Sequence, residues 1–160
     1  PGSKYYERNL MNNAGRFAFV EFCDDVRHEI GNKYSLMGCY GSELILSDIP
    51  AILPKLCVLV RAGTPLDHLF ERLIFRVFSD DRLLLEANAE LEKLNKEQLS
   101  DVSPLATRGI ANAFFEMSPF AVPDEMTLRV EAETEEGVLI AGILRVRKAQ
   151  RTPETGGLKI

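Results

Sequence analysis

The sequence has no tryptophan, only two histidines and only three cysteines in 160 residues. An odd number of cysteines without a C-x-x-C pair indicates neither a disulfide framework nor a zinc site. Each cysteine lies in an apolar or aromatic run, which predicts reduced and mostly buried thiols. These residues are Cys23, Cys39 and Cys57. We therefore expect no bound metal and no cofactor.

Large clusters of charge of one sign are also missing. The net charge is -5, from 24 acidic and 19 basic residues that are well mixed along the chain. The dense basic run consists of Arg145, Arg147, Lys148 and Arg151. We interpret it as a solvated face at a sheet edge, with a phosphate site as the alternative. The charge distribution predicts no nucleic-acid partner.

Long apolar runs do not occur. No stretch approaches the roughly 18 apolar residues of a membrane-spanning helix, which predicts no membrane partner. Residues 1–15 are polar and lack the apolar segment of a secretory signal, so a cytoplasmic protein is expected. Pro1-Gly2-Ser3 precedes any methionine, as a tag remnant would, and Met11 is a candidate natural start.

Motifs of common catalytic sites are absent as well. The sequence contains no G-x-S-x-G turn, no phosphate-binding G-x-x-x-x-G-K-[ST] loop and no G-x-G-x-x-G segment. His68 lies within Pro65–Leu69, which we interpret as a loop with His68 as a surface turn residue. The sequence therefore predicts no catalytic residue.

The residues that are present predict a single mostly-β domain. A chain of 160 residues, 46% of them hydrophobic, is sufficient for one core. We place the domain at residues 13–150, between a tag remnant or flexible N-terminus at 1–12 and a flexible C-terminal tail at 151–160.

Several strands and turns follow from the hydrophobic pattern. Arg16–Cys23 and Leu56–Arg61 are apolar on both faces, as strands at the centre of a sheet are. Hairpin turns are predicted at Gly31-Asn32, Ser79-Asp80-Asp81 and Glu135-Glu136-Gly137.

The remaining segments complete the predicted architecture. Gly63–Asp67 is expected to be a turn, and Ala89–Leu99 a short surface helix capped by Asn88. About eight or nine short strands with Gly and Pro between them predict a two-sheet antiparallel β-sandwich, immunoglobulin-like or C2-like.

A family resemblance comes from the segment Phe22–Tyr40, FCDDVRHEIGNKYSLMGCY, which Leu53-Pro54-Lys55-Leu56 follows later in the chain. The segment resembles the opening of a family of small uncharacterised bacterial and phage proteins, with the pattern CDD-VR-E-GNK-SL-G-Y. The resemblance covers most of the chain but is specific only in the first third. It implies a bacterial or phage origin and brings no activity, cofactor or site residue.

The same segment contains the candidate metal or acid–base residues Asp24, Asp25, His28 and Glu29. Three carboxylates and an imidazole so close together can hold a divalent metal or transfer protons. On a strand, however, Asp24 and His28 share one face and Asp25 and Glu29 share the other. We therefore favour a charge ladder of Asp25, Arg27 and Glu29, with Asp24 capping a bend. A metal-dependent enzyme or ligand binder is the alternative.

Phenylalanines provide the candidate partner-binding residues. Phe114 and Phe115 point to opposite faces of a strand, so the predicted helix, the other sheet or another chain must cover one of them. Phe120 follows nearby. We expect a non-enzymatic binding module that recognises a protein through a sheet edge or loops, with a host protein or a second copy as partner.

Overall fold

Eleven β-strands make up most of the residues that the computed structural model describes, which are 15–31, 33–89, 91 and 105–150. No helix in those residues is long and apolar enough to span a membrane. The strands are β1 Phe17–Glu29, β2 Lys33–Tyr40, β3 Glu43–Leu46, β4 Ala51–Leu53, β5 Leu56–Pro65, β6 Leu73–Ser79, β7 Arg82–Asn88, β8 Arg108–Met117, β9 Phe120–Val122, β10 Met126–Thr134 and β11 Gly137–Lys148.

The strands form three sheets. The first has the order β2-β1-β5-β8 and is antiparallel throughout. The second has the order β3-β11-β10-β6-β7. A short ladder joins β4 to β9, where prolines at positions 50, 54, 119 and 123 border the two strands. The two larger sheets thus hold nine strands, and the protein is mostly β.

The two apolar segments identified in the sequence are central strands, as predicted. Strand β1 lies between β2 and β5, and β5 lies between β1 and β8. Seven of the first eight residues of β5 are buried, because both faces of this strand are covered. The prediction of a turn at Gly63–Asp67 is wrong for its first three residues, because β5 continues to Pro65 and stays paired with β8.

The three predicted hairpins are confirmed by the antiparallel pairs β1–β2, β6–β7 and β10–β11. Asn32 of the first turn lies outside the described residues. In the second turn, Asp80 adopts a φ of 50° and its carboxylate accepts the backbone N–H of Thr127 at 3.1 Å. The Asp80 N–H also donates to the carbonyl of Thr127 at 2.8 Å, so hydrogen bonds to the neighbouring strand hold a left-handed conformation that Asp tolerates better than most residues.

One apolar cluster receives alternate residues from both larger sheets. Val58, Val60 and Ala62 of β5 and Leu128 and Val130 of β10 belong to it. The alternation is the period of two that strands impose on their side chains. The first and second sheets therefore share a core.

The predicted helix from Ala89 to Leu99 is wrong at its start. Ala89 donates its backbone N–H to the carbonyl of Leu73 at 2.9 Å and so continues the pairing at the end of β7. Pairing with the neighbouring strand outweighs the helix propensity of this position. Apart from Ala89 and Leu91, the predicted helix lies outside the described residues. The proposed termini at 1–12 and 151–160 lie outside them too.

An entirely antiparallel arrangement is also wrong, because β3 pairs with β11 in parallel. Strand β3 covers what would otherwise be the edge of β11. Arg145, Arg147 and Lys148 of the basic run are therefore not at the sheet edge that we predicted, and Arg147 instead donates to Glu43 on β3 at 2.8 Å. This ion pair holds the pKa of the Glu43 carboxyl below its ordinary value. Arg151 lies outside the described residues.

The shared core predicts a large effect for Leu128→Ala. Leu128 is fully buried, so its truncation should lower the free energy of unfolding by about 2–5 kcal/mol. Leu105→Ala is the matched control, because Leu105 is 89% exposed, and it should change stability by no more than about 0.5 kcal/mol. Chemical denaturation of both variants measures the difference, and equal effects would contradict the assignment of the core.

Candidate functional site

The hairpin of β1 and β2 continues past the sheet to which it belongs. Strand β5 pairs with β1 from Phe17 to Cys23, whereas β2 pairs with β1 up to Glu29. We call the part beyond Cys23, namely Asp24–Glu29 together with β2, the flap. It contains the segment on which the family resemblance rests.

The flap folds back over the first sheet. Glu21, Leu59 and Phe114 lie on one rung of that sheet. Along a straight β1, the path from Glu21 to His28 would measure about 23 Å. The ring centroids of His28 and Phe114 are nevertheless only 5.6 Å apart. The chain must therefore reverse its direction between Cys23 and His28.

Hydrogen bonds place this reversal at Asp24 and Asp25. The thiol of Cys23 donates to the carbonyl of Asp25 at 3.4 Å, and the thiol of Cys57 donates to that of Asp24 at 3.9 Å. Both thiols belong to the first sheet, so the backbone passes directly over them as it turns. The Asp25 carboxylate also accepts a hydrogen bond from Lys55 at 2.9 Å, which lowers the pKa of Asp25.

Gly38 makes the reversal possible on the second strand of the flap. It adopts a φ of 66°, and a Cβ atom there would overlap the carboxylate of Asp24. Asp24 in turn accepts a hydrogen bond from the hydroxyl of Tyr40. Burial and this carboxylate raise the pKa of Tyr40 to about 12, so its hydroxyl stays a donor at physiological pH.

Aromatic and cationic side chains hold the outer half of the flap on the sheet. Arg61 donates its Nε–H to the hydroxyl of Tyr34 at 3.1 Å. The guanidinium carbon of Arg61 lies 5.3 Å from the ring centroids of both Tyr34 and Phe19. The Tyr34 ring meets that of Phe114 edge-on at 5.1 Å. These contacts combine cation–π and edge-to-face geometry.

Residues beneath the flap are buried although they do not belong to the shared core. Leu59 is 0% exposed, and Cys23 and Cys57 are also buried. All three lie on the face of the first sheet that points away from the shared core. The flap therefore gives this sheet a covered outer face.

The four candidate metal or acid–base residues do not form one group. Asp24 binds Tyr40, and Asp25 binds Lys55. His28 contacts Phe114, and Glu29 accepts a hydrogen bond from Ser35 at 3.1 Å. Only part of the predicted charge ladder is present, as an exposed 3.8 Å ion pair between Arg27 and Glu29.

The candidate partner-binding phenylalanines differ in their exposure. Phe115 and Phe120 are buried in the shared core. Phe114 is on the opposite face of β8 and reaches the surface, where the flap covers part of its ring. The sequence required a cover for the phenylalanine of this pair that lies outside the core. The flap provides part of that cover, and it is none of the three covers that the sequence suggested.

The prediction of mostly buried cysteines is confirmed for Cys23 and Cys57 and wrong for Cys39, which is exposed. Cys39 lies on β2, which has a neighbouring strand on one side only within the described residues. All three cysteines are unpaired thiols. Burial raises the pKa of Cys57, and it raises that of Cys23 to about 11.

A second polar cluster, around Arg16, was missed at the sequence level. The Arg16 side chain is fully buried and forms ion pairs with Glu135 at 2.5 Å and Glu136 at 3.5 Å. It also donates to the hydroxyl of Thr64 at 3.2 Å and lies 4.8 Å from the Phe70 ring centroid. The residue before β1 is thereby joined to the β10–β11 turn.

The same cluster is the one group among the described residues with ligand spacing for a metal. Ligand atoms of His68, Glu135 and Glu136 lie within 4.8 Å of one another. Arg16 already contacts both carboxylates, and a second cation beside the guanidinium would be repelled. The cation that this cluster binds is therefore Arg16 itself.

Comparison with protein-family models and with curated proteins gives no match.

Replacement of Gly38 tests the reversal. Gly31→Ala serves as a matched control, because Gly31 also has a positive φ but no atom within 4 Å of the place that a Cβ would take. Gly31→Ala should cost about 1–2 kcal/mol from backbone strain alone. Gly38→Ala should cost at least about 1 kcal/mol more, because its Cβ meets Asp24. Equal losses in chemical denaturation would show that Asp24 does not press against Gly38.

Arg16→Ala should lower the free energy of unfolding by about 2–3 kcal/mol, because it removes one partner of a buried ion pair whose acids are partly exposed. Arg145→Ala, at an exposed arginine, should change it by no more than about 0.5 kcal/mol. Thermal melts of the two variants provide the comparison. A loss as small as that of the control would contradict the role assigned to Arg16.

The loss of unfolding free energy caused by Arg16→Ala should also depend on pH. Burial opposes ionisation of Glu135, but backbone N–H groups and Arg16 outweigh it, so the pKa of Glu135 lies below its ordinary value of 4.5. A lowered folded-state pKa contributes stability that is complete above pH 4.5 and is lost as pH falls through the folded value. The difference between wild type and Arg16→Ala should therefore shrink in acid. A constant difference down to acid unfolding would argue against the ion pair.

Proposed function

We propose that the protein is a non-enzymatic binding module and that an extended segment of a partner protein adds to the free edge of β2. The supporting observation is that β2, eight residues long, has a neighbour on one side only within the described part of the chain. The open side of such a strand presents a row of N–H and C=O groups. An extended peptide satisfies these groups by pairing with the strand.

The composition of β2 favours it over the other terminal strands. Its one charged residue is Lys33, at its first position, and it contains no proline. Strands β7 and β8 each contain an arginine and a glutamate, and β3 is only four residues long. Charges and shortness are the usual protection of an edge against pairing. Strand β2 has the least protection.

The position of β2 in the flap adds a second argument. The strand is held over the sheet by Tyr34, whose hydroxyl binds Arg61, and by Tyr40, whose hydroxyl binds Asp24. Its edge is therefore fixed before a partner arrives. A rigid edge loses little conformational freedom on binding, which favours affinity.

The two-sheet sandwich belongs to the same proposal. Its support is that alternate residues of β5 and β10 enter one core cluster, as the inner faces of two packed sheets do. An open edge at the end of one layer is a common recognition element of such architectures. An immunoglobulin-like or C2-like topology stays a prediction.

The partner is expected to be a protein, either a host protein or a second copy of the chain. Met37, at the middle of β2, is 41% exposed, so a partner strand carrying apolar side chains would pack beside it. The alternative function, a metal-dependent enzyme at Asp24, Asp25, His28 and Glu29, has no supporting geometry, because these residues have separate partners.

Met37→Lys tests the edge, because a charge at the middle of an edge strand opposes pairing. Ile45→Lys is the matched control, since Ile45 is 51% exposed but lies on β3. Wild type and both variants are used as baits in a bacterial lysate, with bound proteins identified by mass spectrometry. We expect a protein that wild type and Ile45→Lys retain and Met37→Lys loses.

Light scattering of the same three proteins distinguishes the two partners. A dimer of wild type and Ile45→Lys that becomes a monomer in Met37→Lys would identify a second copy as the partner. Partners that are retained equally by all three baits, together with an unchanged mass, would contradict the proposed edge.

A further inference from the structure

All three cysteines of the chain lie on one row across neighbouring strands. Cys23 on β1 is directly opposite Cys39 on β2 and directly opposite Cys57 on β5. Opposite residues of an antiparallel pair share a face and have Cα atoms about 4.5–5.5 Å apart. Disulfides span Cα separations of about 4.4–6.8 Å. Cys23 therefore has a thiol within disulfide range on either side.

Exposure distinguishes the two neighbours of Cys23. Cys39 is exposed, whereas Cys23 and Cys57 are buried. A small reagent in solution therefore meets Cys39 first. Cys23 is then the thiol next to the modified sulfur, since it faces Cys39 across the ladder. Cys57 lies on the far side of Cys23, on β5.

We propose that Cys39 and Cys23 form a dithiol site for low-molecular-weight disulfides, which oxidise the pair to a cross-strand disulfide at the base of the flap. This inference does not depend on the proposed binding function. It assigns a modification site to two free thiols that lie directly opposite each other on neighbouring strands.

The reaction has two exchange steps. The Cys39 thiolate attacks one sulfur of oxidised glutathione, which forms a mixed disulfide and releases one glutathione thiolate. The Cys23 thiolate then attacks the Cys39 sulfur, forms the Cys23–Cys39 bond and releases the second glutathione. Two protein thiols are oxidised, one glutathione disulfide is reduced, and the two thiol protons end on the two released glutathione molecules.

The two steps should differ in rate. Burial and the neighbouring thiols and carboxylate raise the pKa of Cys23 to about 11, so little Cys23 thiolate exists at neutral pH. Because the thiolate is the nucleophile, the second step should be slow there and faster in alkali. The mixed disulfide on Cys39 should therefore accumulate transiently at neutral pH.

The Cys23–Cys39 disulfide would lie beside the reversal of the flap. Cys23 immediately precedes Asp24, and Cys39 immediately follows Gly38, the glycine that accommodates the Asp24 carboxylate. A covalent bond between the two strands at this rung prevents β2 from separating from β1. The oxidised protein should therefore protect the amides of β2 more strongly against hydrogen exchange.

The experiment uses the reduced protein with oxidised glutathione at neutral and mildly alkaline pH, quenched with acid, followed by intact-mass measurement and peptide mapping. Wild type should gain one glutathionyl group, then lose it and end two hydrogens lighter, with Cys23 and Cys39 in one linked peptide. The Cys57→Ser variant should behave in the same way. Both measurements are independent of whether variants of Cys23 fold.

Two further variants complete the test. Cys23→Ser should stop at the mixed disulfide, and Cys39→Ser should stay unmodified as long as it is folded, which circular dichroism verifies. Three results would each overturn the proposal: a mixed disulfide that persists in wild type in alkali, a bond mapped to Cys23 and Cys57, or equally fast modification of folded Cys39→Ser.

Discussion

The reversal of β1 at Asp24 and Asp25 is the constraint on which the rest of the first sheet depends. Before the reversal, β1 contributes Phe22 to the shared core and Cys23 to the outer face. After it, the same strand and its partner β2 lie over that outer face. Because β2 stays paired with β1 on both sides of the reversal, the flap packs as one ladder. A single hairpin thus belongs both to the first sheet and to the layer that covers it. Leu59 is buried beneath the flap, with no strand needed other than β1 and β2.

Two groups of electrostatic contacts differ in their exposure to solvent. At the base of the flap, Lys55 binds Asp25 and also lies 3.4 Å from Glu116 on β8. At the β10–β11 turn, the buried Arg16 forms an ion pair with Glu135. The ion pairs of Lys55 are largely open to solvent, so they contribute little to stability and serve mainly to position the base of the flap. The second group is desolvated, so loss of one partner is costly.

Local pattern in the sequence was enough for most strands and their hairpins, but not for the sites. Strand β5 and the β10–β11 hairpin follow from apolar periodicity and turn residues, which act over a few positions. The sequence indicated a bend at Asp24 but not a reversal that returns the hairpin over the sheet, because the flap depends on contacts between Tyr34 and Arg61, which are 27 positions apart. Gly38 was the residue that could have indicated the reversal, because a glycine within a strand often marks a close approach of another group, here the Asp24 carboxylate. The role of Arg16 depends equally on a partner far along the chain.

The parallel pairing of β3 with β11 has a consequence for synthesis of the chain. Arg147 and Glu43, which join these strands, are separated by 104 positions. Strand β3 leaves the ribosome long before its neighbour exists, so its backbone groups stay without their final partners until the chain has been translated as far as Arg147. Contacts between such distant segments make folding slow. Strand β11 therefore completes the second sheet, which keeps an open edge while the chain between Glu43 and Arg147 is translated.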